Sequence, residues 1–98
     1  MEFLVQMTVD LKGLGAHADA HVHELREAEA RRADELARAG TLVRLWRIPG
    51  TTANWGLWRA AGATELHAAL MSLPLAPHSS FEVKTLAEHP NDPRPAEG

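Results

Sequence analysis

The chain has 98 residues, a formal net charge of −3 and no cysteine. This length suits one domain that buries only about 60% of its unfolded surface, and since disulfides are excluded, association of subunits is the expected supplement to the core. The arginines are interleaved with acidic residues rather than clustered, which argues against nucleic acid as a partner.

The N-terminal half predicts a strand, a loop and a long helix. Apolar residues alternate from Phe3 to Val9, which predicts a strand ending near Asp10. Gly13 and Gly15 predict a loop. Residues 17–39 contain no glycine or proline and many alanines, so we expect a helix there, with Gly40 as its C-cap glycine.

Glu29 is the most informative residue of this helix. Helical periodicity places it in the middle of the apolar stripe formed by Val22, Leu25, Ala33 and Leu36. An inward carboxylate should either pair with a cation or have a raised pKa. Glu29 is therefore a candidate general base, and the alternative is a purely structural ion pair, for example with an arginine of the next segment.

The segment from Leu42 to Trp58 predicts a β-hairpin with strands near 41–48 and 53–60. It holds all three tryptophans, and Pro49-Gly50 supplies the turn. In a regular strand, one face would carry Leu42, Arg44, Trp46 and Ile48, and the other Val43, Leu45 and Arg47. Apolar groups on both faces indicate that one face meets helices and the other a second subunit or a ligand.

The C-terminal half predicts a shorter helix and a last strand. Thr64–Ser72 predicts a helix that buries Leu66, Ala69 and Leu70 and ends before Pro74. Alternation from Phe81 predicts a strand reaching Ala87. From Pro90 the sequence is polar and proline-rich, so we expect one domain over 1–89 and a tail over 90–98 that is disordered or packed on a neighbouring subunit.

The order strand, helix, strand, strand, helix, strand predicts an α+β fold of the ferredoxin-like βαββαβ type. Its two helices would cover one face of an antiparallel sheet. The other face would then be closed by another chain, which predicts a homo-oligomer. No segment approaches the roughly 20 apolar residues of a membrane span, and the N-terminus lacks the pattern of a signal peptide. We therefore expect a cytoplasmic protein without a membrane partner.

Four segments occur in a particular order and spacing along the chain, namely Leu45-Trp46-Arg47-Ile48, Gly50 with Ala53-Asn54, Leu73-Pro74-Leu75 with Pro77, and His89-Pro90. Together they resemble the muconolactone Δ-isomerase family of small bacterial enzymes of aromatic hydrocarbon catabolism. The resemblance extends over nearly the whole chain. It implies a ferredoxin-like subunit, paired sheet to sheet as a dimeric α/β barrel and assembled into a larger ring such as a decamer, whose active sites neighbouring chains complete.

The resemblance also implies a reaction and its residues. The family moves a double bond within an unsaturated γ-lactone that bears a carboxylate, and needs no cofactor. Glu29 aligns with a family glutamate and would be the base, while Arg47 would bind the carboxylate or the developing oxyanion, as an arginine fork can. A salt bridge remains the alternative role for Arg47. Asn54, Trp55, His89 and Thr52 are expected to line the substrate site. Trp55 is favoured because it follows the turn next to Asn54, whereas Trp46 and Trp58 are expected to have packing roles.

A metal site is not favoured. His17, His21 and Glu24 share one helical stripe that could hold a divalent ion, but no second group of ligands accompanies them. We therefore expect no metal.

The chain departs from the family pattern at several positions, namely Arg44, Thr51, Thr52, Ala76 and His78. These departures leave open a related isomerase, cyclase or cofactor-free oxygenase of secondary metabolism. A non-catalytic oligomer that binds a small ligand is the alternative of another class.

Overall fold

The computed structural model describes residues 1–15 and 18–94. Its strands are β1 (Glu2–Val9), β2 (Leu42–Arg47), β3 (Ala53–Arg59) and β4 (Ser79–Leu86), and its helices are α1 (Leu11–Gly15), α2 (Asp19–Arg38) and α3 (Ala63–Met71). A 3-10 turn at Ala76–His78 precedes β4. The predicted start of the long helix at His17 and the tail residues 95–98 lie outside the described residues.

The four strands form one antiparallel sheet in the order β2-β3-β1-β4. With helices between β1 and β2 and between β3 and β4, this is the predicted ferredoxin-like topology. The core lies between the sheet and the helices. Phe3 and Val5 of β1 are each 1% exposed, and Leu66 and Leu70 of α3 pack in the same cluster.

The prediction of a loop at Gly13 and Gly15 was wrong, because residues 11–15 form the short helix α1. A carboxylate oxygen of Asp10 accepts the backbone N–H of Lys12 at 3.0 Å, which caps the start of this helix. Leu14 is then only 2% exposed in the core. Burial of this side chain outweighs the low helix propensity of two glycines.

Two glycines with positive φ lie where the sequence predicted them, one at the end of α2 and one in the turn of the hairpin. Gly40 has φ +81° directly after α2, and the Thr41 N–H reaches back to the Leu36 carbonyl at 2.9 Å. In the hairpin, Gly50 has φ +79° and follows Pro49, and the Thr51 N–H donates to the Ile48 carbonyl at 3.3 Å. This is a type II turn.

A β-bulge in β2 corrects the predicted face of Leu42. Leu42 lies opposite Trp58, but Arg44 lies opposite Leu57, so Val43 is an extra residue in β2. Leu42 consequently shares the helix-covered face with Leu45 and Arg47. Arg44 and Trp46 share the open face of the sheet, as the register to β3 shows.

Residues 87–94 follow β4 as exposed chain without helix or strand. Among the described residues, no helix is long and apolar enough to cross a membrane. The domain boundary at residue 89 stays a prediction.

Candidate active site

A narrow cavity of about 30 Å³ lies between the sheet and the two long helices. Its walls are mostly apolar, with Val5 and Met7 from β1 and Leu70 from α3 among them. Three side chains with polar atoms join this lining: Glu29 from α2, and Asn54 and Trp58 from β3. An apolar pocket with a few converging polar groups is the usual form of a small-molecule site.

Glu29 lies in the apolar stripe of α2, as predicted. Val22, Leu25 and Ala33 pack partly buried against the core around it, and Leu36 is buried within the core. Among the described residues Glu29 forms no ion pair, and Oε1 accepts the backbone N–H of Leu75 at 2.9 Å. Burial raises the pKa of Glu29, and the hydrogen bond from Leu75 opposes this rise. An inward carboxylate was expected either to pair with a cation or to have a raised pKa, and Glu29 has the raised pKa.

The segment after α3 supplies this hydrogen bond because its backbone geometry leaves the Leu75 amide available. Pro74 ends the helical pattern and carries no N–H. The Leu73 and Ala76 amides bond within the corner, to Leu70 and Leu73 carbonyls at 3.2 and 2.9 Å. The Leu75 N–H between them points to Glu29 instead. The Leu73-Pro74-Leu75 segment thus holds one carboxylate oxygen and leaves the other for chemistry.

Asn54 and Arg47 lie opposite each other on β3 and β2, on the face of the sheet that meets Glu29. Asn54 lines the cavity. Arg47 is exposed at the end of β2 beside it and, among the described residues, makes no hydrogen bond or ion pair. The salt bridge that was the alternative role for Arg47 is thus absent from the described part of this chain.

The structure does not bring Trp55, His89 or Thr52 into this cavity. Trp55 lies opposite Trp46 on the open face of the sheet. His89 follows β4 beyond Leu86, whose register partner is Glu2, so it lies at the other end of the sheet from Arg47. Its contacts are local, with Nδ1 accepting the Asn91 N–H at 3.0 Å.

Thr52 lines a second, open groove at the end of β1, with a volume of about 740 Å³. Its hydroxyl donates to the Val9 carbonyl at 2.8 Å, so it helps to close the hairpin onto β1. Polar side chains of the groove include Asp10, Lys12 and His78. In a single chain, Thr52 is separate from the Glu29 cavity.

Trp58 is the cavity residue that the sequence did not reveal, since its pattern indicated packing only. It is 4% exposed and lies on the helix-covered face, opposite Phe3 and Leu42. The available signal was its spacing: Asn54 and Trp58 are four residues apart on one strand and so share a face.

The described residues contain no group of three or more histidine, aspartate or glutamate side chains placed to hold a metal ion. Of the stripe His17, His21 and Glu24, the first member lies outside the described residues.

Comparisons with known proteins agree with this geometry. The family described as muconolactone delta-isomerase matches residues 1–92. The chain belongs to the muconolactone Δ-isomerase family. The family protein of Pseudomonas putida is 37% identical over 92 residues, which cover 93% of each chain. That of Acinetobacter baylyi is 33% identical over 94 residues, covering 96% of each. A crystal structure of muconolactone isomerase covers 100% of both chains with a TM-score of 0.84 and 36% identity.

The fold and this membership confirm the resemblance noted from the four sequence segments. Two of those segments meet at the cavity, because Leu73-Pro74-Leu75 supplies the amide that holds Glu29, and Asn54 forms part of the sheet wall. The five positions where the chain departs from the family pattern, Arg44, Thr51, Thr52, Ala76 and His78, are all absent from the lining of this cavity.

Proposed function

We propose that the protein is a cofactor-independent isomerase that shifts a double bond in muconolactone, an unsaturated lactone bearing a carboxylate. Family membership over residues 1–92 supports the reaction class. The observation that carries the mechanism is Glu29, a half-buried carboxylate with a raised pKa, a single backbone donor and no cationic partner among the described residues.

Glu29 acts as the base and proton shuttle. It removes an acidic proton from the ring carbon at the far end of the conjugated C=C–C=O system, the electron pair moves through the double bond toward the carbonyl oxygen as a dienolate, and the proton returns at the carbon next to the carbonyl. A raised pKa suits both steps, because a stronger base removes the first proton and its conjugate acid still delivers it. No net proton or electron is gained or lost.

Arg47 binds the substrate carboxylate at the mouth of the cavity. The cavity of about 30 Å³ is far smaller than the roughly 300–1,000 Å³ of ordinary ligand sites. The substrate must therefore extend toward the exposed end of β2, where the Arg47 guanidinium is available for a bidentate contact.

The same proposal includes a homo-oligomer paired through the open face of the sheet. Trp46 and Leu86 on this face are 41% and 40% exposed, and Leu4, Trp55 and Leu57 are half-buried there. An apolar surface of this kind is typical of an interface. A neighbouring chain could then supply Trp55 or His89 to a site. The cytoplasmic location stays a prediction.

Proton NMR in D₂O tests the function directly. Purified protein is incubated with muconolactone, beside Glu29→Gln and the control Glu24→Gln, an exposed carboxylate on the same helix. Wild type and the control should isomerise the lactone with deuterium uptake, and Glu29→Gln should be slower by about 10²-fold or more. A wild type that leaves the lactone unchanged would refute the substrate, and a fully active Glu29→Gln would refute the base.

A further inference from the structure

The indole of Trp58 extends along β3 toward Asn54. A Cβ atom placed on Gly56 would lie 2.5 Å from Nε1 and 3.1 Å from Cδ1 of Trp58. Gly56 lies between Trp58 and Asn54 on the same face of the strand. The nitrogen-bearing edge of the ring therefore covers Gly56 and is directed toward the Asn54 end of the cavity, which the absence of a side chain on Gly56 makes possible.

The Nε1–H of Trp58 has no hydrogen-bond partner among the described residues. Buried indole N–H groups usually have one. None of the described residues leaves a fully buried side-chain nitrogen or oxygen unpaired, so this N–H keeps some accessible surface. Trp58 is also one of the residues that line the cavity. The side chain of Asn54 likewise makes no hydrogen bond with a described residue.

We propose that Trp58 Nε1–H, with the Asn54 side-chain amide as a second donor, binds the carbonyl oxygen on which negative charge develops during isomerisation. This inference rests on the proposed function and deepens it. Glu29 belongs to the helix wall of the cavity and the two donors to the sheet wall, so the carbonyl end of a lactone that enters the cavity meets the base on one side and the donors on the other.

In this arrangement the neutral donors of the cavity and the charged Arg47 have different roles. Neutral donors in an apolar cavity stabilise an oxyanion strongly, because they are already oriented and water does not compete. Arg47, which is exposed, holds the permanent carboxylate equally in the ground state and the transition state, and so affects binding more than rate. The proton moves between two substrate carbons through Glu29, and Trp58 keeps its own proton throughout.

Trp58→Phe tests this assignment because phenylalanine keeps an aromatic ring and removes the N–H. We expect kcat to fall by about 10²-fold, the typical effect of one oxyanion donor, while KM changes little. Trp46→Phe, on the open face, is the matched control and should retain kcat. Trp58→Phe with unchanged kcat would overturn the assignment while the isomerase function stands.

A second measurement does not depend on the folding of Trp58→Phe, because it observes the indole N–H of Trp58 in the wild-type protein. The chain has three tryptophans, and the Trp46→Phe and Trp55→Phe variants assign the indole N–H signals by elimination in ¹⁵N-labelled protein. A saturated lactone bearing the same carboxylate, which cannot isomerise, is then titrated. A downfield shift and slower exchange of the Trp58 N–H support the assignment, and a signal that does not move overturns it. This result is independent of whether muconolactone is turned over.

Discussion

The backbone N–H of Leu75 donates a 2.9 Å hydrogen bond to Oε1 of Glu29 and so joins the middle of α2 to the corner after α3. This contact orients the carboxylate without neutralising it. A cationic partner would lower the pKa of Glu29, whereas here burial raises it and the single amide offsets only part of the rise. The carboxylate is thus positioned and remains basic, which costs the fold some stability.

Because the buried, ionised carboxylate of Glu29 lowers the stability of the fold, we expect stability to depend on pH. Because the pKa of Glu29 is raised above 4.5 in the folded chain, the folded state holds this proton more tightly than the unfolded state. Protonation of Glu29 therefore contributes favourably to the free energy of folding. This contribution is fully present below pH 4.5 and is lost as pH rises through the folded-state pKa of Glu29. Glu29→Gln, which stays neutral and can still accept the Leu75 N–H, should therefore melt at a higher temperature than wild type at neutral pH.

Thermal unfolding from pH 4 to pH 8 measures this effect. The difference in melting temperature between Glu29→Gln and wild type should shrink as pH falls toward 4.5. Glu24→Gln, on the exposed side of α2, should show no such trend. A constant difference across the pH range would mean that the carboxylate is not destabilised by burial.

Arg47 and Arg44 form a matched pair, since the register places them on opposite faces of β2. Arg47→Gln removes a charged donor beside Asn54 and should raise KM for the carboxylate-bearing lactone by roughly tenfold, at the lower end of the effect of a hydrogen bond to a charged group. Its kcat should change less. Steady-state kinetics provide both values.

Arg44 stacks on the Trp46 ring with its guanidinium carbon 4.9 Å from the ring centroid, on the open face. Arg44→Gln should leave KM close to the wild-type value. If both variants raised KM equally, the cause would be loss of overall positive charge, and a specific carboxylate contact by Arg47 would be excluded.

The sequence predicted the elements because their signals are local. Alternation defined β1, the absence of glycine and proline defined α2, and Gly40 and Gly50 have the positive φ that their places required. Glu29 was found because helical periodicity alone places it in an apolar stripe. These inferences need no knowledge of distant contacts.

Which residues line the cavity depends on contacts between strands, and the sequence does not reveal these contacts. The bulge at Val43 changes the face of Leu42 relative to the rest of β2, and only pairing with β3 reveals it. The sequence favours Trp55 over Trp58 as a ligand contact, because Trp55 follows the turn and Asn54. Strand alternation separates these two tryptophans, but which face meets the helices is decided by the partners of β3, such as Phe3 opposite Trp58.

Gly56→Ala should displace the indole of Trp58, since the new Cβ would lie 2.5 Å from Nε1. Overpacking of this kind costs about 1–3 kcal/mol in the free energy of unfolding. If the ring shifts, kcat should fall together with stability. Gly15→Ala is the control, because its Cβ would have no neighbour within 4 Å. Denaturant unfolding and kinetics report both effects, and wild-type values for both in Gly56→Ala would mean that the ring does not depend on this gap.

Leu57→Glu tests whether the open face of the sheet is the interface of an oligomer. Leu57 lies between Leu4 and Arg44 in one cross-strand row on this face. Arg44 gives the new carboxylate a neighbour of opposite charge, so the single chain should stay folded. Pairing of two sheets would have to desolvate this charge, which is unfavourable. The mass measured by light scattering should therefore fall from that of an oligomer to that of a smaller species.

Val43→Glu is the matched control, since it adds the same charge at the exposed bulge of the edge strand β2, outside the central row. It should keep the wild-type mass. Far-UV circular dichroism establishes that both variants are folded, so that a lower mass reflects a lost interface rather than a lost fold. An oligomer that persists in folded Leu57→Glu would show that the subunits associate through another surface, and neighbouring chains would then not bring Trp55 to a site by sheet pairing.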